Sequence, residues 1–266
     1  MSERILVITA AHNEADYIEQ TLRSVAAQTR PPDRWLVVDD GSTDATPDLV
    51  RAYAAQHPWI TLLTHAREAG RSLGSKVAAI DFALRHTPLG GYTLLGVLDA
   101  DIVLPPNYYA VLANAFAEAP RLGLAGGLTC EAENGEFVPR AYNAAGRIQG
   151  AIQVFRTSCW HDIGGYRPLR RGGGDSTAQY MAEMHGWTVQ RFDTLQVHHL
   201  RPEGTAGKGP LATRFYQGLK DYALGYHPLF VLAKCAYRVG EPPPVAGAAA
   251  RAWGYCYGAL TREPRP

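Results

Sequence analysis

No stretch of about 20 uncharged apolar residues occurs along the chain, so no membrane-spanning helix is expected. Cysteine is scarce. Cys130, Cys159, Cys235 and Cys256 are the four in 266 residues. They lie far apart and form no C-x-x-C pair, so neither a zinc site nor a disulfide framework is expected and a reduced cytoplasm fits. Excess charge is missing as well: 26 basic residues stand against 25 acidic ones, and a net charge of +1 gives no electrostatic case for a nucleic-acid partner. The opening Met1-Ser2-Glu3-Arg4 runs straight into a strand-like segment with neither an apolar leader nor a cleavage site, so no secretory signal is expected. What the chain does have is apolar mass. At 46% hydrophobic residues it can bury one large core or two fused smaller ones, and one compact α/β unit with a helical appendage is expected.

The organising stretch is Leu94-Leu95-Gly96-Val97-Leu98-Asp99-Ala100-Asp101, an apolar run that ends in two carboxylates one residue apart. Bounded by Gly90-Gly91 and Pro105-Pro106, it predicts a strand buried on both faces with its aspartates at the carboxyl end, where open α/β sheets bind ligands. Upstream, Ile5–Thr9, Trp35–Val38 and Ile60–Leu63 predict strands. Between them, Ile18, Leu22 and Val25 fall at helical spacing, Thr46-Pro47 offers a hydroxyl cap and a first-turn proline, and Ser75 precedes a stripe of Val77, Ile80 and Leu84. This alternation predicts a parallel sheet with right-handed crossovers. Downstream, a helix through Tyr109, Leu112 and Phe116 leads to strands at Leu122–Leu128 and Gly150–Arg156.

Three segments carry a family likeness. Val7-Ile8-Thr9-Ala10-Ala11-His12-Asn13-Glu14, then Val37-Val38-Asp39-Asp40-Gly41-Ser42-Thr43-Asp44, then Leu98-Asp99-Ala100-Asp101 resemble, in order and spacing, the successive signatures of family 2 glycosyltransferases. The resemblance covers residue 4 to about residue 200. It implies an α/β GT-A fold, the Rossmann-like sandwich of nucleotide-diphospho-sugar transferases, over residues 1–204. The donor-nucleotide half would be 1–128, the acceptor half 129–204, and a C-terminal helical extension 205–266. It further implies an inverting, metal-dependent transfer assisted by Mn²⁺ or Mg²⁺. The donor would be a UDP-sugar ahead of a GDP- or dTDP-sugar, and the acceptor a saccharide or a lipid-linked one, in polysaccharide or glycolipid assembly. The Q-x-x-R-W signature of processive members is absent, so one sugar per encounter is expected.

Residue by residue, the resemblance assigns donor contacts to Ala10, His12, Glu14, Asp39, Asp40, Arg71, Lys76, Asp99 and Ala100. Asp39 and Asp40 can accept hydrogen bonds from a base N–H or a ribose hydroxyl; the plain alternative is an ordinary Asp-Gly-Ser-Thr turn. Arg71 and Lys76 flank a helix start whose amides favour anions, or are simply solvated cations. Glu14 either reaches the ribose or complements a helix dipole from the first turn. Asp101 would ligate the metal directly, with Asp99 on the ribose or in the metal's water shell. Asp99-Ala100-Asp101-Ile102-Val103 also fits the D-x-D-x-T/V pattern of haloacid-dehalogenase-type phosphohydrolases, with a whole βαβαβα unit placed unusually in front of it.

In the second half, Trp160 in Cys159-Trp160-His161-Asp162-Ile163-Gly164-Gly165-Tyr166 can stack on an acceptor sugar or pack in the core. Asp175 is the implied general base, or a helix N-cap. The family's usual Glu-Asp pair reads Gly174-Asp175 here, a departure that keeps a catalytically silent nucleotide-binding module in view. A histidine at Val197-His198-His199-Leu200-Arg201 can complete the metal or diphosphate site. Neighbours on a strand point to opposite faces, so one of the two serves, with His198 preferred. Gly204–Pro210 is a Gly-rich hinge suited to a lid. Residues 210–266, with helical spacing at Phe215, Leu219 and Tyr222 and aromatics at Trp253, Tyr255 and Tyr257, either pack on the core or lie on the inner face of the cytoplasmic membrane.

Overall fold

The computed structural model describes residues 3–65, 75–133, 135–139, 146–169, 172–201 and 209–265. The chain divides into two units, one of Met1–Pro168 with Gly174–Arg201 and one of Leu169–Gly173 with Pro202–Pro266.

In the larger unit β1 (Ile5–Ala11), β2 (Arg34–Asp39), β3 (Ile60–Thr64) and β4 (Leu94–Leu98) pair in parallel in the order β3-β2-β1-β4. Their crossovers carry α1 (Ile18–Ala26), α2 (Thr46–Gln56) and α3 (Ser75–His86). Every residue of β4 is buried, as an apolar run covered on both faces must be. Ile18, Leu22 and Val25 of α1 are fully buried at the spacing that predicts it. The start of α2 differs from expectation. Asp44 Oδ1 accepts the Thr46 N–H at 3.0 Å, while the Thr46 hydroxyl accepts the Glu14 N–H at 2.8 Å and so ties two loops together. The side chain of Ser75, the expected cap of α3, lies outside the described residues.

Beyond β4 the sheet turns largely antiparallel. β5 (Ile102–Val103), α4 (Tyr108–Glu118), β6 (Leu122–Glu133), β7 (Glu136–Pro139), β8 (Ile152–Arg156), α5 (Thr157–Ile163), α6 (Gly174–Met184) and β9 (Thr188–His199) follow in sequence. The strand order among the described residues is β3-β2-β1-β4-β8-β6-β9-β5, with β7 on β6. β4 pairs with β8 and β5 pairs with the end of β9, so the Asp99–Asp101 turn is anchored on both sides. β6 and β9 run parallel through a bulge: Gly127 faces Phe192, Leu128 faces Gln196, and Asp193, Thr194 and Leu195 loop out between them. A Cβ at Gly127 would stand 2.3 Å from the Leu195 carbonyl oxygen, so the bulge needs glycine there.

The smaller unit holds α7 (Pro210–Ala223), α8 (Pro228–Tyr237) and α9 (Ala246–Leu260). α7 and α9 touch backbone to backbone: a Cβ at Gly218 would lie 1.8 Å from the Arg251 carbonyl oxygen, and one at Gly254 2.0 Å from that of Phe215. Its small apolar core of Val231, Cys235 and Tyr255 sits beside buried ion pairs. Asp221 bonds Arg251 Nε at 2.7 Å and Lys234 Nζ at 3.1 Å, and Glu241 meets Arg214 at 2.8 Å and Arg238 at 3.4 Å. No described helix is long and apolar enough to cross a membrane.

Candidate functional site

The carboxyl ends of β1, β2 and β4 lie side by side, at the place where strand order reverses and open sheets leave a crevice. Leaving β1, Asn13 takes a left-handed φ of 55°. Its Oδ1 accepts the Thr43 N–H at 2.7 Å and its own N–H donates to Ser42 Oγ at 3.0 Å, while Asp44 Oδ2 accepts the Ala15 N–H at 3.0 Å. The loops after β1 and β2 are thereby laced to one another. Asp39 Oδ1 accepts the Ser42 N–H at 3.0 Å, the expected turn chemistry. Asp40 is buried, with Oδ1 3.0 Å from Nδ1 of His65, whose ring lies tilted against Phe82 with the centroids 4.8 Å apart. His12 Nδ1 lies 2.9 Å from the Asp40 carbonyl oxygen, and Ala10 is half-buried just before it. His65 was not among the expected site residues.

At the end of β4 the turn is held from beneath by a buried threonine. The Thr21 hydroxyl donates to the Ala100 carbonyl at 2.7 Å and accepts the Ile102 N–H at 3.0 Å. Ala100 is itself buried, and its carbonyl helps to shape the turn. Asp99 pairs with Lys76, whose Nζ also donates to the Gly150 carbonyl at 2.9 Å. Lys76 therefore sits against a carboxylate, whatever else approaches it.

Asp101 faces a different set of groups. His199 Nε2 lies 3.4 Å from Asp101 Oδ2, Arg201 Nε lies 3.6 Å from the same oxygen, and Arg201 also pairs with Glu14. Glu131 Oε1 stands 3.8 Å from His199 Nδ1. Burial pushes the Asp101 carboxyl upward, but the hydrogen bond from His199 and the charges of His199 and Arg201 outweigh it and hold the group below the usual carboxylate range. Glu14 is pushed up to about 7 by burial, helped by Asp101 and Asp99 and opposed by Arg201. Because α1 opens at Ile18, Glu14 lies ahead of the helix and turns to Arg201, so the first-turn dipole role is corrected.

The preference for His198 is also corrected. Its ring stacks on Phe137 at 3.9 Å and 4°, and burial lowers its pKa. His199 shares the parity of Leu195 and Val197, all three buried, and that alternation was a signal available in the sequence. Glu131 and Arg201 carried no such signal, since their partners come from distant strands.

In the second half of the chain, Asp175 lies in the first turn of α6, which begins at Gly174, and not at the N-cap. Its carbonyl accepts Gln153 Nε2 at 3.4 Å, and Gln153 Oε1 accepts the Tyr166 hydroxyl at 2.5 Å. Burial and the charges of Asp175 and Asp99 push that hydroxyl well above its usual range. A Cβ at Gly150 would stand 2.6 Å from Asp175 Cβ. One at Gly174 would stand 2.9 Å from the Arg167 carbonyl oxygen, so glutamate would be crowded there. Trp160 is 5% exposed, set edge-on against Phe155 at 5.0 Å and Tyr166 at 5.2 Å. Its ring packs in the core, the second of the two placements expected for it. Arg71 and residues 204–208 of the expected lid lie outside the described residues.

Among the described residues no group of three or more His, Cys, Asp or Glu side chains converges on a metal position. Asp101 and His199 offer one oxygen and one nitrogen, a donor pair that suits Mn²⁺ or Mg²⁺ if a diphosphate and water supply the other ligands.

The family model described as glycosyl transferase family 2 matches residues 6–173. The chain is 28% identical over 206 residues to the beta-monoglucosyldiacylglycerol synthase of Synechocystis sp., covering 73% of this chain and 40% of that protein. It is 23% identical over 237 residues to the poly-beta-1,6-N-acetyl-D-glucosamine synthase of Staphylococcus aureus, covering 81% and 54%. It thus spans about half the length, or less, of these curated relatives. Its backbone matches a mannosyltransferase from Pyrobaculum calidifontis solved with GDP-Man and Mn²⁺, with a TM-score of 0.64, 24% identity, and 98% and 76% of the two chains covered. It also matches S. aureus TarS solved with UDP-GlcNAc, with a TM-score of 0.57, 18% identity, and 81% and 65% covered.

Proposed function

The chain belongs to glycosyl transferase family 2 and has the GT-A fold, and on that premise we propose that it moves one sugar from a nucleotide-diphospho-sugar to a saccharide or lipid-linked acceptor, with inversion. The observation that carries this is the single edge where Asp40, held by His65 after β2, and Asp101, flanked by His199 and Arg201 after β4, stand on either side of the β1 end. A buried carboxylate such as Asp40 accepts from a ring N–H, which uracil, thymine and guanine have and cytosine lacks. UDP-, GDP- and dTDP-sugars all meet that condition, and a UDP-sugar is put first among them. Asp101 and His199 would hold Mn²⁺ or Mg²⁺, and the bound ion supplies Lewis-acid stabilisation to the departing diphosphate. Asp175 takes the proton of the acceptor hydroxyl as its oxygen bonds the anomeric carbon and the bond to the diphosphate breaks, leaving a nucleoside diphosphate. Family membership sets aside a phosphohydrolase built on Asp99 and Asp101. The free cysteines support a reducing, cytoplasmic setting as part of the same proposal.

The test is calorimetric titration of UDP, GDP, dTDP and CDP, with and without Mn²⁺, into the wild type and Asp101→Ala. Metal-dependent binding of one nucleotide, lost in the variant, supports the donor site and names the base. A folded protein that binds none of the four refutes it. Binding with no transfer to any saccharide or lipid-linked acceptor would leave a nucleotide-binding module, the outcome that Gly174 makes worth testing.

A further inference from the structure

Between residues 209 and 260 the smaller unit is turned inside out. All seven charged residues of that stretch are buried or half-buried, and Asp221 and Glu241 pair inward with Arg251, Lys234, Arg214 and Arg238. The exposed positions are apolar or aromatic. On α8, Leu229 (68% exposed), Phe230 (55%), Leu232 (58%) and Tyr237 (89%) face out while Val231 and Cys235 face in. At 100° per residue the outward four, with Ala233 and Ala236, form one continuous face. α9 repeats the pattern, with Trp253, Tyr257 and Leu260 exposed and Arg251 buried. A helix on the surface of a water-soluble domain has the opposite arrangement, and an apolar face of this extent marks an interaction surface.

We propose that the outward faces of α8 and α9 bind a lipid bilayer that carries anionic headgroups. Three observations choose this occupant. Tyr237, Trp253 and Tyr257 are the amphipathic aromatics that settle at a membrane–water interface. Residues 209–265 hold seven basic side chains against three acidic ones, and beyond α9 the exposed charges are Arg262 and Arg265, the second resting over the Tyr222 ring. That excess attracts anionic lipid and opposes pairing with a second copy. At 15 residues α9 is about 22 Å long, too short to cross the roughly 30 Å of hydrocarbon, so it lies along the surface.

Co-flotation of the full chain with vesicles tests this, using phosphatidylcholine alone and phosphatidylcholine with phosphatidylglycerol. The wild type is expected to float with the mixed vesicles, more strongly than with the neutral ones. Replacing Phe230→Glu and Leu232→Glu together lowers the bound fraction about tenfold or more, since two buried apolar side chains are lost. Arg262→Gln with Arg265→Gln removes the preference for anionic vesicles. These side chains are exposed, so an unchanged thermal melt and unchanged nucleotide affinity show that the variants fold and separate this outcome from failure of the transferase proposal. The inference is overturned if folded wild type floats with neither vesicle, or if the double glutamate variant floats like wild type. It is equally overturned if the chain sediments as a dimer that the double variant makes monomeric, because the face then belongs to a second copy.

Discussion

Gly150→Ala tests the assignment of Asp175 without touching its carboxylate. The new Cβ would stand 2.6 Å from Asp175 Cβ and 2.9 Å from both Cγ and Oδ2, where ordinary contact begins at 3.4–4 Å. Gly150 has no left-handed φ to protect, so alanine meets a steric obstacle and not a conformational one. Asp175 must then retreat by roughly 1 Å, and a misplacement of that size at a reacting group costs about 10²-fold in rate, or about 2.7 kcal/mol of barrier. Overpacking should lower stability by about 1–3 kcal/mol. Nucleotide affinity should stay within about twofold, because Lys76 bonds the Gly150 carbonyl, which alanine retains. The assay is steady-state transfer with the donor that titration identifies, in Gly150→Ala, Asp175→Asn and the double variant. In the Asp175→Asn background the added methyl should cost almost nothing further. Full kcat in folded Gly150→Ala, or additive losses in the double variant, would refute both the contact and the role of Asp175.

Thr21→Val removes a buried donor to Ala100 and a buried acceptor for Ile102 in one nearly isosteric change. Urea denaturation should show about 2–4 kcal/mol lost, and an unchanged midpoint would mean the clamp holds nothing. Glu14 ionises at 4.5 when unfolded and at about 7 in the fold, so the folded state keeps its proton longer. The metal-free protein should therefore lose stability as pH rises from 4.5 to about 7, and Glu14→Gln should flatten that slope; a slope that persists in the variant points to other groups. His199→Ala should cut metal-dependent nucleotide affinity by at least about tenfold while His198→Ala leaves it nearly unchanged, and the reverse result would reinstate His198.

The parallel half of the fold was legible because β1, β2 and β4 are apolar runs ending in polar turns, and α1 has a clean helical stripe. Those signals are local. The groups around Asp101 are not: Glu131 and Arg201 arrive from two strand ends that meet only once the sheet is assembled. Thr46 misled for a related reason. A hydroxyl before proline looks like a cap, yet its lone pair is taken by Glu14, 32 residues earlier in the chain. Trp160 shows that an aromatic in a motif-like string says nothing about which way the ring faces, and here neighbouring aromatics close over it.

The residues that loop out of β9 divide the strand into two registers. Ahead of them, Thr188–Phe192 follow one registration against β6; after them, Gln196–His199 follow another that β5 also clamps. The register that places the His199 imidazole beside Asp101 is thus set by β5 and the far half of β6, separately from the register of the Thr188–Phe192 half of the strand.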